Sequence, residues 1–232
     1  MLTIRRSSDR GYFDFGWLKT FHTFSFGDYY DPRYMHFETL RVINHDFIAA
    51  GVGFPTHPHK DMEILTYVLS GTVAHKDSMG NQTQITAGEA QIMSAGSGIT
   101  HSELNASQSQ ELELLQIWIL PNKKNIQPRY GQFEFSRQEK LNHLCKIADP
   151  MGGDKVIQIF QDVTIHASIL EPGSTLDVDL KKAPAWIQVA RGEIKVNGEA
   201  LQTGDGVAIR DIESLKLTAT KETEFLLFSF PT

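Results

Sequence analysis

The chain has 232 residues, 41% hydrophobic and 22% charged, with a net charge of −6 at pH 7. That length supports one or two domains with a well-buried core, while the acidic balance and the lack of any Lys/Arg run longer than two argue against direct nucleic-acid binding. No apolar run approaches the roughly 18 residues of a membrane span. Residues 1–6 lack the apolar stretch of a secretory signal. The single cysteine, Cys145, has no disulfide partner, so a cytoplasmic protein is expected.

Along the chain, residues 12–37 hold 11 of the 23 aromatics. They could line a pocket for a flat substrate, but core packing or wedging between domains is the preferred reading for most. Gly51 and Gly53 then precede Thr56-His57-Pro58-His59-Lys60. In a strand, residues i and i+2 share a face, so His57 and His59 project together. Leu65-Thr66-Tyr67-Val68-Leu69 predicts a strand ending at Ser70-Gly71. His75 is read as a strand or loop residue without a metal role, Met93 as barrel core. After Gly88, Gly96 and Gly98 comes Thr100-His101-Ser102-Glu103-Leu104, where the same spacing puts His101 and Glu103 on one face. Residues 113–120 read as another strand, stopped by Pro121.

A polar loop, Pro121-Asn122-Lys123-Lys124-Asn125, opens the middle of the chain. A short helix is predicted within residues 136–145, and Pro150-Met151-Gly152-Gly153-Asp154 is a second break. Cys145 has no partner cluster for nucleophilic chemistry. In the second half, Glu193-Ile194-Lys195-Val196 and Glu199-Ala200-Leu201-Gln202 flank Asn197-Gly198, a strong hairpin signal because a type I′ turn needs φ > 0 at both central positions.

The halves repeat. Tyr67-Val68-Leu69-Ser70-Gly71-Thr72-Val73 resembles Gln188-Val189-Ala190-Arg191-Gly192-Glu193-Ile194. Thr86-Ala87-Gly88-Glu89-Ala90 resembles Gln202-Thr203-Gly204-Asp205-Gly206. The two glycines are 17 residues apart in the first half and 12 in the second, which fits one β-hairpin with loops of different length. An all-β chain of two tandem barrels is therefore predicted, with domains at residues 1–130 and 151–232 and a linker at 131–150. A monomer is expected, because two fused barrels cover each other's faces.

Seven of the nine histidines lie at or before position 101. Two neighbouring strands could offer His57, His59, His101 and Glu103 to one point inside a barrel. Neutral imidazole and carboxylate suit Fe(II), Mn(II), Co(II), Ni(II), Cu(II) or Zn(II), and four ligands leave positions open for substrate or water. Taken by spacing alone, two surface histidines on a strand would look the same.

The motifs decide further. Gly51-x5-His57-x-His59-x3-Glu63 resembles the first cupin motif, and Gly88-x5-Ser94-x-Gly96 followed by His101-x3-Asn105 resembles the second. The departures, Gly71 one residue late, Ser94 in place of proline and His101 two residues late, resemble the pirin subfamily. So do His22-Thr23-Phe24-Ser25-Phe26-Gly27, Tyr29-Tyr30-Asp31-Pro32, Thr56-His57-Pro58-His59-Lys60-Asp61-Met62-Glu63 and Ala95-Gly96-Ser97-Gly98-Ile99-Thr100-His101-Ser102-Glu103. The resemblance covers nearly the whole chain, strongly to about residue 130. It implies a jelly-roll bicupin whose metal ligands fall on His57, His59, His101 and Glu103. Glu63, a ligand in many cupins, becomes a structural hydrogen-bonding residue. The second cupin carries no metal, Asp177-x-Asp179 being two exposed aspartates.

Bacterial pirin-like proteins, several described as quercetin 2,3-dioxygenases, imply a metal-dependent dioxygenase cleaving flavonols with dioxygen and releasing carbon monoxide. Fe(II) is the expected ion. In this reading Glu103 doubles as the catalytic general base. The resemblance leaves two alternatives: a non-enzymatic regulator whose metal oxidation state switches a surface for a protein partner, and another cupin enzyme with a different small substrate.

Overall fold

The computed structural model describes all 232 residues. They form two compact units, each a jelly-roll of one large and one four-stranded antiparallel sheet. No helix is long and apolar enough to cross a membrane.

In the first unit the large sheet runs, side by side, through Arg129–Glu134, Glu89–Ser94, Glu63–Ser70, Leu112–Ile119, Leu40–Ile48, Leu18–His22 and Gly11–Asp14. The smaller sheet runs through Gly53–His59, Ile99–Asn105, Thr72–Asp77 and Gln82–Thr86. The strands expected at 65–69 and 113–120 thus belong to Glu63–Ser70 and Leu112–Ile119. Both are buried on nearly every residue because they lie in the middle of the large sheet, which is why they read as apolar runs rather than alternations.

The second unit repeats this topology. Its small sheet orders Thr175–Asp179, Ser214–Ala219, Glu193–Val196 and Glu199–Gln202 as the first unit orders its own four. Gly71 and Gly192 share positive φ (85° and 90°), as do Gly88 and Gly204 (89° and 83°), so the two sequence echoes are echoes of backbone. Asn197 (φ 48°) and Gly198 (φ 90°) make the expected turn. The short helix is Arg137–Lys140, started by a capping box between Ser136 and Glu139.

The domain boundaries need correction. Leu2–Arg5 pairs with Gly206–Ile209, and Met1–Arg10 belongs to the second unit. There it fills the edge position that Arg129–Glu134 fills in the first unit, beside Glu89–Ser94. Arg6 anchors it through a 2.9 Å ion pair to the fully buried Asp205. Residues 131–134 continue the first unit's sheet and Cys145–Asp149 pairs with Thr164–Leu170, so neither stretch is linker. Ile157–Gln161 groups with the first unit, where the Phe160 carbonyl accepts from the Asn122 amide.

Candidate metal centre

Gly53–His59 is an edge strand, the position in a sheet where prolines such as Pro55 and Pro58 are tolerated. It pairs with Ile99–Asn105 so that His57 faces His101, and a bulge follows: Glu103 pairs with Phe54 rather than Pro55. Bulges re-aim side chains. Along Ile99–Asn105 burial alternates without exception, placing His101 and Glu103 inside. Close approach of the two strands requires Gly53, since a Cβ there would stand 2.3 Å from the Glu103 carbonyl oxygen.

Three imidazoles converge as the spacing predicted. The donor atoms of His57, His59 and His101 lie within 4.8 Å of one another, and the Nε2 atoms of His57 and His101 are 3.1 Å apart. His57 donates Nδ1–H to the Pro55 carbonyl at 2.7 Å, which leaves its Nε2 lone pair facing the cluster. The His59 ring meets Trp118 edge-on at 5.0 Å. Burial, reinforced by His101 and His57, lowers His59 to about 4. Burial and then His57 and His75 lower His101 to about 3. Both imidazoles are therefore neutral at pH 7, the form that ligates a metal. Three imidazole nitrogens gathered at a partly buried point fit a divalent cation.

Glu103 sits deeper. Its carboxylate groups with His101 and His75, again within 4.8 Å, rather than with all three histidines of the first cluster. Thr66 Oγ1 (3.0 Å) and Gln91 Nε2 (2.6 Å) donate to one oxygen, Gln116 Nε2 (2.7 Å) to the other. His75, given no metal role from sequence, is buried beside this group and contacts Asp77 at 3.2 Å. Glu63 accepts from Ser94 Oγ (3.0 Å) and the Phe160 amide (3.2 Å), the bonding expected of a structural residue. Met93 is buried among Ile64, Ala95 and Ile99.

The second unit has the same strands without these donors. Glu103 pairs with His75, whereas at the matching place Leu217 pairs with Val196. Leu215 and Leu217 pack into an apolar core with Ile187, Val189 and Leu227. Asp177 and Asp179 are exposed.

A cavity of about 340 Å³ opens onto the cluster, walled by Phe26, Phe54, Pro55 and Trp118, with His57, His59, Glu103, Gln116, Asn44 and Asp46 contributing polar atoms. Burial pushes the Asp46 carboxyl up to about 7, opposed by the Thr20 hydroxyl and assisted by the charge of Glu103. Of the aromatics in residues 12–37, Phe24 and Phe37 are core while Phe13, Phe15, Trp17 and Phe26 line cavities, so core packing does not account for most of this group. Asn44, Asp46, Thr66, Gln91 and Gln116 were missed. Their one sequence signal is a polar residue at an inward position of an otherwise apolar strand.

Residues 3–119 match the Pirin family model, and residues 146–230 match that of the quercetinase C-terminal cupin domain. The chain belongs to the pirin family. This pirin-family chain is 46% identical to a protein of Escherichia coli K12 named quercetin 2,3-dioxygenase, over 100% of its own length and 99% of the relative's. It is similar to the crystal structure of YhhW from Escherichia coli (46% identity, TM-score 0.95, 100% and 98% of the two chains). It is also similar to that bacterial pirin in complex with nickel(II) (45% identity, TM-score 0.94, 100% and 99%).

Proposed function

We propose that this chain is a metal-dependent dioxygenase that opens the ring of flavonols such as quercetin. The observation that carries the reading is the cavity itself: an aromatic-walled space lined by His57 and His59 of the converging three-histidine cluster and by the hydrogen-bonded carboxylate of Glu103. Its volume falls within the roughly 300–1,000 Å³ usual for small-molecule sites. The names of the relatives supply the substrate class.

His57, His59, His101 and Glu103 would hold the ion, and Fe(II) is the ion proposed. When bound, it would supply Lewis-acid stabilisation of a deprotonated substrate hydroxyl. The chain's own residues do the rest. Phe26, Phe54 and Trp118 bound the space for a flat ring and keep bulk water away from it. Glu103 accepts the hydroxyl proton as general base. Thr66, Gln91 and Gln116 hold its carboxylate in one orientation, so the accepting oxygen is positioned before substrate arrives.

Metal content and oxygen uptake with quercetin, measured for the wild type and His57→Ala, test the reading. About one redox-active metal per chain, with uptake abolished in the variant, is the expected result. Metal-loaded wild-type protein that leaves quercetin intact under oxygen would end the dioxygenase assignment.

A further inference from the structure

A second cavity, of about 350 Å³, lies beside the first and shares Phe26, Asn44, Asp46 and Phe54 with it. Its far wall is aromatic. Phe13 and Phe15 are parallel at 6.0 Å and Trp17 meets Phe54 edge-on at 5.3 Å. Phe15 is 58% exposed, so the chamber opens to solvent at that end. Its other wall is the face of Leu40–Ile48 from which Asn44 and Asp46 project, with Thr20 directly opposite Asp46 on the neighbouring strand. His45, on the reverse face, contacts Glu113 at 2.8 Å and plays no part.

Asn44 and Asp46 are 5% and 2% exposed, yet Asn44 Oδ1 and Asp46 Oδ1 make no hydrogen bond of ordinary geometry within the chain, and neither does the hydroxyl of Thr20, which is near enough to Asp46 to favour its charged form. Buried acceptors in a folded protein are nearly always satisfied, and an unsatisfied pair facing a cavity calls for donors from outside. Both lie where the two chambers meet. They line both chambers, so a ligand that spans the metal cavity and the aromatic one passes directly over them.

We infer that the second chamber is the subsite for a pendant phenolic ring of the substrate, whose O–H groups donate to Asn44 Oδ1 and Asp46 Oδ1 while its faces contact Phe13, Trp17 and Phe54. The inference deepens the proposed function and rests on it for the placement of the other end of the molecule. It adds a specificity: among flavonols, those with hydroxyls on the pendant ring are preferred over those with a plain phenyl group. Discrimination of this kind is strong when a site's acceptors are left unpaired by the poorer ligand.

Binding, not turnover, reads this subsite. Quenching of tryptophan fluorescence follows the titration of quercetin and of galangin, the flavonol with an unsubstituted pendant phenyl, into metal-loaded protein. Trp17 and Trp118 line the chambers and report occupancy. The wild type is expected to bind quercetin about 10-fold or more tightly over galangin. In Asp46→Leu the preference should shrink to about twofold or less. In Trp17→Ala both ligands should weaken together with the preference kept. Thermal melts establish that each variant folds, and if Asp46→Leu does not, the wild-type preference and the Trp17→Ala result still decide. Equal affinity for the two flavonols in the wild type, or a preference that survives intact in a folded Asp46→Leu, overturns the subsite. A preference without oxygen uptake keeps the subsite and overturns the dioxygenase reading; uptake without a preference does the reverse.

Discussion

Three donors converge on the Glu103 carboxylate, and none comes from a residue near it in sequence. Gln91 is 1% exposed and its amide reaches Oε1 at 2.6 Å. Gln91→Leu keeps the approximate volume but removes a charge-assisted bond, worth roughly 1.5–3 kcal/mol at a buried carboxylate. It also frees a group proposed to face the metal, and loss of such an orienting partner costs about 10–100-fold in metal affinity. The variant is thus expected to melt lower and to bind Fe(II) or Ni(II) more weakly by calorimetry. An unchanged affinity would mean that Glu103 is not among the ligands. The three histidines were legible because i, i+2 spacing is written in two short segments. The glutamines were not, because each lies alone among apolar neighbours in its strand and a lone polar side chain carries no spacing.

Between elements, what brings those segments together is a contact that only glycine permits. At Gly53 an added Cβ would meet the Glu103 carbonyl oxygen at 2.3 Å and Leu104 Cα at 2.7 Å. Both are backbone atoms of the facing strand and cannot swing aside. Gly53→Ala must therefore push the edge strand away from Ile99–Asn105 and disturb the pairing of His57 with His101. A stability loss of about 1–3 kcal/mol is expected from the overpacking, with metal affinity reduced as well. Gly131→Ala is the matched control: it too lies in a strand, and its Cβ would make an ordinary 3.6 Å contact with Ile92. Equal melting temperatures for the two variants would show that the close approach does not position the site. The strands themselves were legible from β-branched runs and turn residues. The allegiance of Leu2–Arg5 was not, because four residues carry no mark of a partner two hundred positions away.

At the scale of the whole molecule, one topology serves two interiors. The first unit places titratable groups inside its barrel, and the second fills the same space with leucine, isoleucine and valine. The second unit nonetheless carries its own acid-sensitive point, His166. It lies opposite Lys146 in the pairing of Cys145–Asp149 with Thr164–Leu170. Burial, and after it the charge of Lys146, lowers its pKa to about 4 against the opposing charge of Asp149. The folded state therefore favours neutral imidazole, whereas the unfolded chain takes up a proton near pH 6.5. Between these values the unfolded state binds more protons, so stability rises with pH. The contribution is complete above about 6.5 and is lost as pH falls toward 4. The Asp46 carboxyl, raised to about 7, contributes a slope of the opposite sign over the same range, so the share of His166 is read from the difference between variant and wild type in metal-loaded protein. Urea unfolding at pH 7.5 and pH 5 is expected to show His166→Leu losing less stability than the wild type, by on the order of 1–2 kcal/mol. Identical losses would place the acid sensitivity elsewhere, and a larger loss in the variant would reverse the sign assigned to the histidine.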